Sequence, residues 1–205
     1  HRSLHQGVAG FLEVDFDRAL TEIREHGASA FPLLEDYYRL MLLSQAERLK
    51  YEKQPEVVGP AKVREELSSV KMIPSPSLFS ALKGEFETMR TCWVSKLAQV
   101  EHPFRVPFVF NESSLQKYPT GSIGITPHMD SAKCQNLIAV FVLKGEGQFA
   151  TCADRAGSKS HPLNPRPGSA ILMRANGFDQ SDYRPFHMLT GIEEERISFA
   201  LRSFK

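Results

Sequence analysis

The sequence predicts an α+β fold with a double-stranded β-helix, or jelly roll, as its core and N-terminal helices packed on the outside. Three observations support this prediction. Helical periodicity is confined to the first half of the chain. The second half contains about eight short apolar stretches separated by turns rich in glycine and proline. No helical crossovers lie between these stretches, so antiparallel pairing in a sandwich or barrel is expected.

Three helices are predicted in the first half. The stretch "DFDRALTEIREHG" places Phe16, Leu20 and Ile23 on one face and ends at Gly27, a typical residue after a helix C-terminus. A second helix is expected over "LLEDYYRLMLLSQAERLKYEK". The third, "SPSLFSALKGEFETMRTCWVSKLAQV", has Ser77 as its expected N-cap. Its apolar residues recur at steps of three and four, which predicts packing against a sheet. They are Leu78, Leu82, Phe86, Met89, Trp93 and Leu97.

A charged, proline-rich segment, "KQPEVVGPAKVREELSSVKMIPSPS", joins the second and third helices. We expect a loop or short helix there, mobile over about residues 52–76, that could reach over a site. Residues 1–105 are thus predicted to form a helical N-terminal region, and residues 106–205 a jelly-roll core. The length of 205 residues suits a single structural domain.

The strands of the second half are predicted in eight stretches. They are "RVPFVF", "SLQKYP", "SIGITPHMD", "NLIAVFVL", "GQFATCAD", "SAILMRA", "PFHMLTG" and "RISFALRSF". The last alternates strictly, so Arg196, Ser198 and Arg202 share one face and the intervening apolar residues share the other. We expect the apolar face to pack under the helices and the two arginines to point into the barrel.

Composition and charge are those of an ordinary globular protein. The chain is 41% hydrophobic and 24% charged, with a formal net charge of +1. Net charge therefore does not favour a nucleic-acid partner, although a local basic patch stays open. No stretch is apolar enough to span a bilayer, and the N-terminus has no signal-peptide core. Cys92, Cys134 and Cys152 form no CxxC motif, so free thiols in the cytoplasm are expected.

A candidate metal site begins with "PHMD". Residues two apart on a strand point the same way, so His128 and Asp130 could converge on one ion while Ile123 and Ile125 pack on the opposite face. A solvated strand end is the alternative for such a short motif. His187, in "PFHMLTG", lies on another predicted strand that could face this pair. Two imidazoles and one carboxylate form the ligand set typical of non-haem Fe(II) oxygenases.

The two arginines of the last strand indicate an anion. A guanidinium in an enclosed apolar cavity needs a partner, because an unpaired buried charge costs several kcal/mol. That partner could be an aspartate or glutamate of the protein. Beside an iron site, a dicarboxylate co-substrate is the other candidate, since a planar guanidinium binds a carboxylate through two hydrogen bonds.

The order His-x-Asp, distant His, then Arg-x-Ser resembles the Fe(II)/2-oxoglutarate-dependent dioxygenase superfamily. The second half, residues 106–204, is most similar to the AlkB-like branch. That branch has Asn-x-Tyr and a glycine before His-x-Asp, and two arginines on its closing strand. Here "QKYPTGSIGITPHMD" offers Gln116, Tyr118 and Gly121, with Gln116 in place of the asparagine.

The resemblance implies cofactors and roles. His128, Asp130 and His187 would hold Fe(II), with 2-oxoglutarate and O2 as co-substrates and succinate and CO2 as products. The resemblance implies that Arg196 binds the distal carboxylate of 2-oxoglutarate, helped by Ser198 and the Tyr118 hydroxyl, and that Arg202 lies near the metal-bound carboxylate. Gln116 is the remaining implied 2-oxoglutarate residue. The reaction implied for the substrate is an oxidation, most simply a hydroxylation.

The substrate is less well defined by the sequence. Asp179, Tyr183 and Arg184 precede His187 on a predicted loop at the barrel mouth and are candidate substrate contacts, with a solvated loop as the alternative. Cys134 either borders the same pocket or is a core thiol. A small organic molecule is expected. The alternatives are oxidative demethylation of nucleic-acid bases and a non-catalytic, cupin-like metal-binding protein. The oligomeric state stays open.

Overall fold

The computed structural model describes residues 10–97 and 102–205. Its helices are α1 (Phe16–His26), α2 (Asp36–Glu47) and α3 (Leu78–Lys96), with a 3-10 helix at Phe178–Gln180. The strands of the first half are β1 (Ala28–Pro32), β2 (Glu52–Lys53), β3 (Val57–Val58), β4 (Val63–Arg64) and β5 (Ser68–Val70). Those of the second half are β6 (Glu112–Tyr118), β7 (Ile125–His128), β8 (Leu137–Lys144), β9 (Gln148–Cys152), β10 (His161–Pro162), β11 (Ser169–Arg174), β12 (Phe186–Thr190) and β13 (Arg196–Arg202). The last residues of the predicted third helix, 98–100, lie outside the described residues.

The strands form two facing antiparallel sheets and a small hairpin. The larger sheet has seven strands in the order β1-β11-β8-β13-β6-β5-β2, and the smaller has four in the order β10-β9-β12-β7. Strands β3 and β4 pair only with each other. Apolar residues of both sheets, such as Ile138, Met173, Phe149 and Leu189, share one buried cluster. The architecture is therefore a jelly roll with three helices, and none of the helices described could span a membrane.

The seven-stranded sheet is buried on both faces. On one face, Phe199 and Phe141 belong to the same apolar cluster as residues of all three helices. Phe86 of α3 meets Phe141 edge-on with ring centroids 5.3 Å apart, and Phe79 lies 4.9 Å from Phe199. The other face of β13 carries Arg196 and its polar neighbours toward the smaller sheet. This alternation on β13 agrees with the sequence pattern, since successive side chains of a strand point to opposite faces.

Local signals at the helix ends are also confirmed. The Ser77 hydroxyl accepts a hydrogen bond from the Ser80 amide, and the Ser80 hydroxyl accepts one from the Ser77 amide. This reciprocal arrangement is a capping box, which satisfies amides that have no partner within the helix. After α1, Gly27 has a φ of 86° and donates its amide to the Ile23 carbonyl. A left-handed φ of this kind is readily adopted by glycine.

The segment between the second and third helices differs from its prediction. Helix α2 ends at Glu47, and residues 52–70 form four short strands instead of a loop or helix. Strand β5 pairs with β6, and β2 pairs with β5, so both extend the seven-stranded sheet. Strand β1 pairs with β11 at the other edge. The large sheet therefore includes three strands from before residue 105. The edges of a sheet carry unpaired backbone groups, and these strands of the same polypeptide form hydrogen bonds with them.

Two sequence-based predictions are wrong: one of a strand at residues 105–110 and one of the side-chain packing before His128. Residues 105–110, "RVPFVF", form no strand, and Pro107 lacks the amide proton that a sheet ladder needs. Their alternation instead reflects burial of Phe108 and Phe110 in the helix-facing cluster. Ile123, predicted to be packed, is 44% exposed, and Ile125 lines the same cavity as His128. The pairing of β12 with β7 shifts register between His128 and Ile125, which breaks the two-residue alternation.

Replacing Leu82 with alanine should lower the free energy of unfolding by about 2–5 kcal/mol, because the side chain is fully buried between α3 and the sheet. Chemical denaturation measures this change. Thr88→Ala, at an exposed position on the same helix, is the control and should change stability by less than about 0.5 kcal/mol. Similar stabilities for the two variants would contradict the packing described for α3.

Candidate functional site

A cavity of about 580 Å³ lies between the two large sheets. Strands β6 and β13 of the seven-stranded sheet form one wall, and β7 and β12 of the four-stranded sheet form another. The segment from Gln54 to Lys71 lines the remaining side. The polar residues that the sequence selected in the second half therefore line one cavity, apart from the candidate substrate contacts.

Three candidate metal ligands meet on the wall formed by β7 and β12. His187 of β12 pairs in register with His128 of β7, and their ring centroids are 4.1 Å apart. Asp130 follows the end of β7, with its Oδ1 3.6 Å from His128 Nε2 and 3.3 Å from His187 Nε2. One ligand atom from each residue lies within 4.8 Å of the other two. Among the described residues, this is the one group of three or more such side chains.

Hydrogen bonding prepares His128 to be a ligand. Its Nδ1 lies 2.8 Å from the Thr126 carbonyl, which can only accept a hydrogen bond, so Nδ1 carries the proton. The lone pair is then on Nε2, the atom that faces Asp130. Burial, together with the neighbouring His128, lowers the pKa of His187. The tautomer of His128 and the lowered pKa of His187 thus each favour an imidazole lone pair that can bind a metal.

Arg202 orients the third ligand. Its Nε donates to Asp130 Oδ2 over 2.9 Å, which leaves Oδ1 directed at the two histidines. Burial alone would raise the pKa of Asp130, but the Arg202 guanidinium, with a smaller effect of the two neighbouring histidines, holds that pKa well below its ordinary value. The carboxylate is therefore ionised, as a metal ligand must be. Arg202 also lies 3.5 Å from Glu112, so its own charge is balanced by protein carboxylates.

Arg196 has a different environment. It is 3% exposed, it forms no ion pair with any acidic side chain that the structure describes, and its Nε has no hydrogen-bond partner. Burial lowers its pKa, which expresses the cost of an uncompensated charge. Its nearest named contact is the ring of Tyr118, opposite it on β6, at 5.8 Å from the guanidinium carbon. Arg196 is therefore a candidate anion-binding residue facing the cavity.

A row of hydrogen-bonded polar side chains leads to Arg202 along the cavity wall. Ser198 lies opposite Gln116 and donates to its Oε1 over 3.4 Å, and Gln116 Nε2 donates to the Ser114 hydroxyl over 2.8 Å. Burial raises the pKa of Tyr118 to about 12, so its phenol keeps its proton and can donate a hydrogen bond. The wall beside Arg196 thus offers hydroxyl donors in addition to the guanidinium.

The candidate substrate residues lie outside the cavity lining. Asp179 forms an ion pair with Arg24 of α1 at 2.8 Å. Tyr183 is 57% exposed and stacks on Arg174. Arg184 donates to the backbone carbonyl of Asp130, behind the carboxylate. Cys134 is 1% exposed, and burial raises the pKa of its thiol to about 12, as expected of a core thiol.

The residues that line the third side of the cavity were not predicted from the sequence. Eight residues of the segment after α2 line it, a set called here the cover segment. They are Gln54, Pro55, Val58, Val63, Glu65, Leu67, Ser69 and Lys71. The proline-rich, charged composition of this segment indicated a loop that could reach over a site, but its strand pairing depends on partners far away in sequence. None of the eight is aromatic, and one is basic.

Comparison with known proteins supports the fold assignment. No family model and no curated protein matches the sequence. A prolyl-4-hydroxylase from Pseudomonas putida superposes with a TM-score of 0.65 at 14% identity, over 92% of this chain and 98% of that one. A 2OG-Fe(II) oxygenase family protein from Burkholderia pseudomallei gives 0.63 at 16% identity, over 94% and 92%.

A third structure is a prolyl hydroxylase from Trichoplax adhaerens in complex with a hypoxia inducible factor peptide. It gives a TM-score of 0.64 at 11% identity, over 92% of this chain and 88% of that chain. The chain therefore has the fold of 2-oxoglutarate-dependent oxygenases over nearly its whole described length. At these identities the likeness establishes the fold, and the chemistry must be argued from the side chains.

Proposed function

We propose that the protein is an Fe(II)/2-oxoglutarate-dependent oxygenase that oxidises, by hydroxylation, a small organic substrate. The observation that carries this proposal is the pairing of two features in one cavity. A cluster of two histidines and an ionised aspartate lies on one wall. A buried arginine without an acidic partner among the described residues lies on another. A metal site alone would not explain Arg196.

The side chains present fit these cofactors. His128, Asp130 and His187 would hold Fe(II), since two neutral imidazoles and a carboxylate are the ligand set of non-haem iron oxygenases. The unpartnered Arg196 would bind the distal carboxylate of 2-oxoglutarate, assisted by hydroxyls of Ser198 and Tyr118. When bound, iron and 2-oxoglutarate supply the oxidising power, with O2 consumed and succinate and CO2 released.

The remaining work of the protein is positioning. Arg202 fixes the Asp130 carboxylate so that one oxygen faces the histidines. Gln116 connects Ser198 with Ser114 through hydrogen bonds, and Arg202 donates to the Ser114 hydroxyl, so these side chains help to hold Arg202 in place. The apolar side chains Val140 and Ile171 line the cavity and limit the water around the reacting groups.

The AlkB-like relation is part of this proposal, and Arg202 beside Asp130 supports it. A flipped nucleic-acid base is less well supported as the substrate. Such enzymes stack the base between aromatic or apolar side chains and bind the backbone through basic residues. The cover segment contributes no aromatic residue and a single lysine to the cavity. A small molecule therefore fits better than an oligonucleotide.

Anaerobic titration with Fe(II) and then 2-oxoglutarate tests the proposal. A weak visible metal-to-ligand charge-transfer band is expected only when both are present, because that band requires the keto acid to chelate the iron. Succinate release in air then measures turnover. A protein that binds metal but never develops the band would instead support a non-catalytic, cupin-like metal-binding protein.

A further inference from the structure

Glu65 holds a fixed position on the cavity wall. It follows β4 and forms an isolated antiparallel bridge with Ile125 of β7, the strand that ends in His128. Its amide donates to the Glu56 carbonyl over 3.0 Å. On either side, the Arg64 amide donates to the Thr126 hydroxyl and the Glu66 amide to the Gly124 carbonyl. Backbone hydrogen bonds thus attach this part of the cover segment directly to the metal-binding wall.

The Glu65 carboxylate is the acidic cavity group that the proposed chemistry does not use. Asp130 and Glu112 both pair with Arg202. Glu65 lines the cavity half-buried, and within the described chain it forms no hydrogen bond or ion pair through its carboxylate. Lys71, the basic residue of the cover segment, lowers the pKa of Glu65 electrostatically but forms no ion pair with it in the described chain.

The electrostatic environment of Glu65 agrees with its position beside β7. Burial raises the pKa of its carboxyl, and the nearby His128 and Lys71 partly oppose that rise. The charge of Glu65 in turn contributes to the raised pKa of Tyr118. The isolated bridge with Ile125 places Glu65 beside β7, which ends at His128, whereas Arg196 lies on β13 of the other sheet. Glu65 therefore lies on the metal-binding side of the cavity and forms no ion pair with Arg196 in the described chain.

Several aliphatic side chains of the cover segment and of the smaller sheet line the cavity together with Glu65. They are Val58, Val63, Leu67, Ile125 and Leu189. A half-buried carboxylate in a partly apolar cavity interacts more strongly with a cationic partner than an exposed carboxylate does, because the local dielectric is lower. The complementary ligand has an aliphatic body and a positively charged end.

We propose that Glu65 binds the cationic group, a protonated amine or a guanidinium, of a small aliphatic substrate whose body packs on Val58 and Leu189 beside the metal site. This inference rests on the proposed function for the identity of the reaction and names the substrate class of the same cavity. Binding through Glu65 would place an alkyl carbon of the ligand next to the candidate iron ligands.

A matched pair of probes tests the proposal. The guanidinium ion of n-butylguanidine and the neutral n-butylurea have nearly the same shape and differ in charge. Calorimetric titration under nitrogen, with protein supplied with Fe(II) and 2-oxoglutarate, should give roughly tenfold tighter binding of n-butylguanidinium. In Glu65→Gln the preference should disappear. Glu66→Gln, the adjacent glutamate that does not line the cavity, should keep it.

The outcomes separate this inference from the proposed function. Equal affinities for the two probes, no measurable binding of either, or a preference that persists in Glu65→Gln overturns the assignment of Glu65. The charge-transfer band is recorded on the same samples and reports on the function alone. A protein without the band that still selects n-butylguanidinium through Glu65 would refute the oxygenase function and retain the cation site.

Discussion

Replacing Arg196 with alanine is expected to weaken 2-oxoglutarate binding by roughly 30-fold or more, while Fe(II) binding stays unchanged. The guanidinium is buried and forms no ion pair with an acidic side chain in the described chain, so the distal carboxylate of the co-substrate is its proposed counter-charge. The metal ligands lie on the other sheet and do not contact it. Titration of the charge-transfer band with 2-oxoglutarate measures the change directly.

The stability of the same variant gives an independent check. Removing a buried charge that has no protein partner should leave the free energy of unfolding unchanged or increase it. Arg196→Lys keeps the charge but not the paired donors and should fall between wild type and alanine in 2-oxoglutarate affinity. Arg166→Ala, an exposed arginine lining a different surface cleft, is the control and should behave as wild type. Wild-type 2-oxoglutarate affinity in Arg196→Ala would refute the assignment.

The second large effect is expected for Asp130→Ala, which should reduce Fe(II) affinity more than about 100-fold. Removing a residue that hydrogen-bonds to a metal ligand typically lowers metal affinity by about 10–100-fold. Asp130→Ala removes the ligand itself, so a larger loss is expected. It also leaves the Arg202 guanidinium with Glu112 as its remaining acidic partner. Iron content after equilibrium dialysis under nitrogen measures the effect, and thermal unfolding verifies that the variant is folded.

A matched aspartate provides the comparison for this substitution. Asp179 carries the same carboxylate but pairs with Arg24 on the outer surface of α1, away from the cavity. Asp179→Ala should therefore retain wild-type iron content. It also tests the sequence-based hypothesis that Asp179 contacts substrate, since turnover should then change without any change in metal binding. Equal iron content in Asp130→Ala and wild type would place the metal elsewhere.

Strands with two buried faces were well predicted from sequence. In β13, Ile197, Phe199 and Leu201 pack toward the helices while Arg196 and Ser198 line the cavity, as the alternation indicated. The pattern was informative because each residue has a single environment, set by its position in the strand. The helix ends were predictable for a similar reason, since Ser77 and Gly27 act on backbone groups within a few residues.

Segments whose structure depends on distant partners were not predicted. Strands β1, β2 and β5 are short, and their sequences carry no strong alternation. They exist because the edges of the large sheet offer backbone partners from β11 and β6. The opposite error occurred at Phe108 and Phe110, whose apolar spacing resembles a strand but reflects packing against α3 and its neighbours. Both errors arise because a backbone ladder is a property of two chain segments.

By itself, the sequence determined the chemistry available: His128, Asp130 and His187 as candidate ligands, and Arg196 and Arg202 on one strand face. These residue types and the two-residue period were sufficient for that prediction. The family resemblance implied different roles for the two arginines, and the tertiary structure supplied the physical difference between them: Arg202 pairs with Asp130, while Arg196 has no ion-pair partner among the carboxylates of the described chain. Only the tertiary structure placed Glu65 at the cavity, because the distance between residues on two facing sheets depends on how those sheets pack.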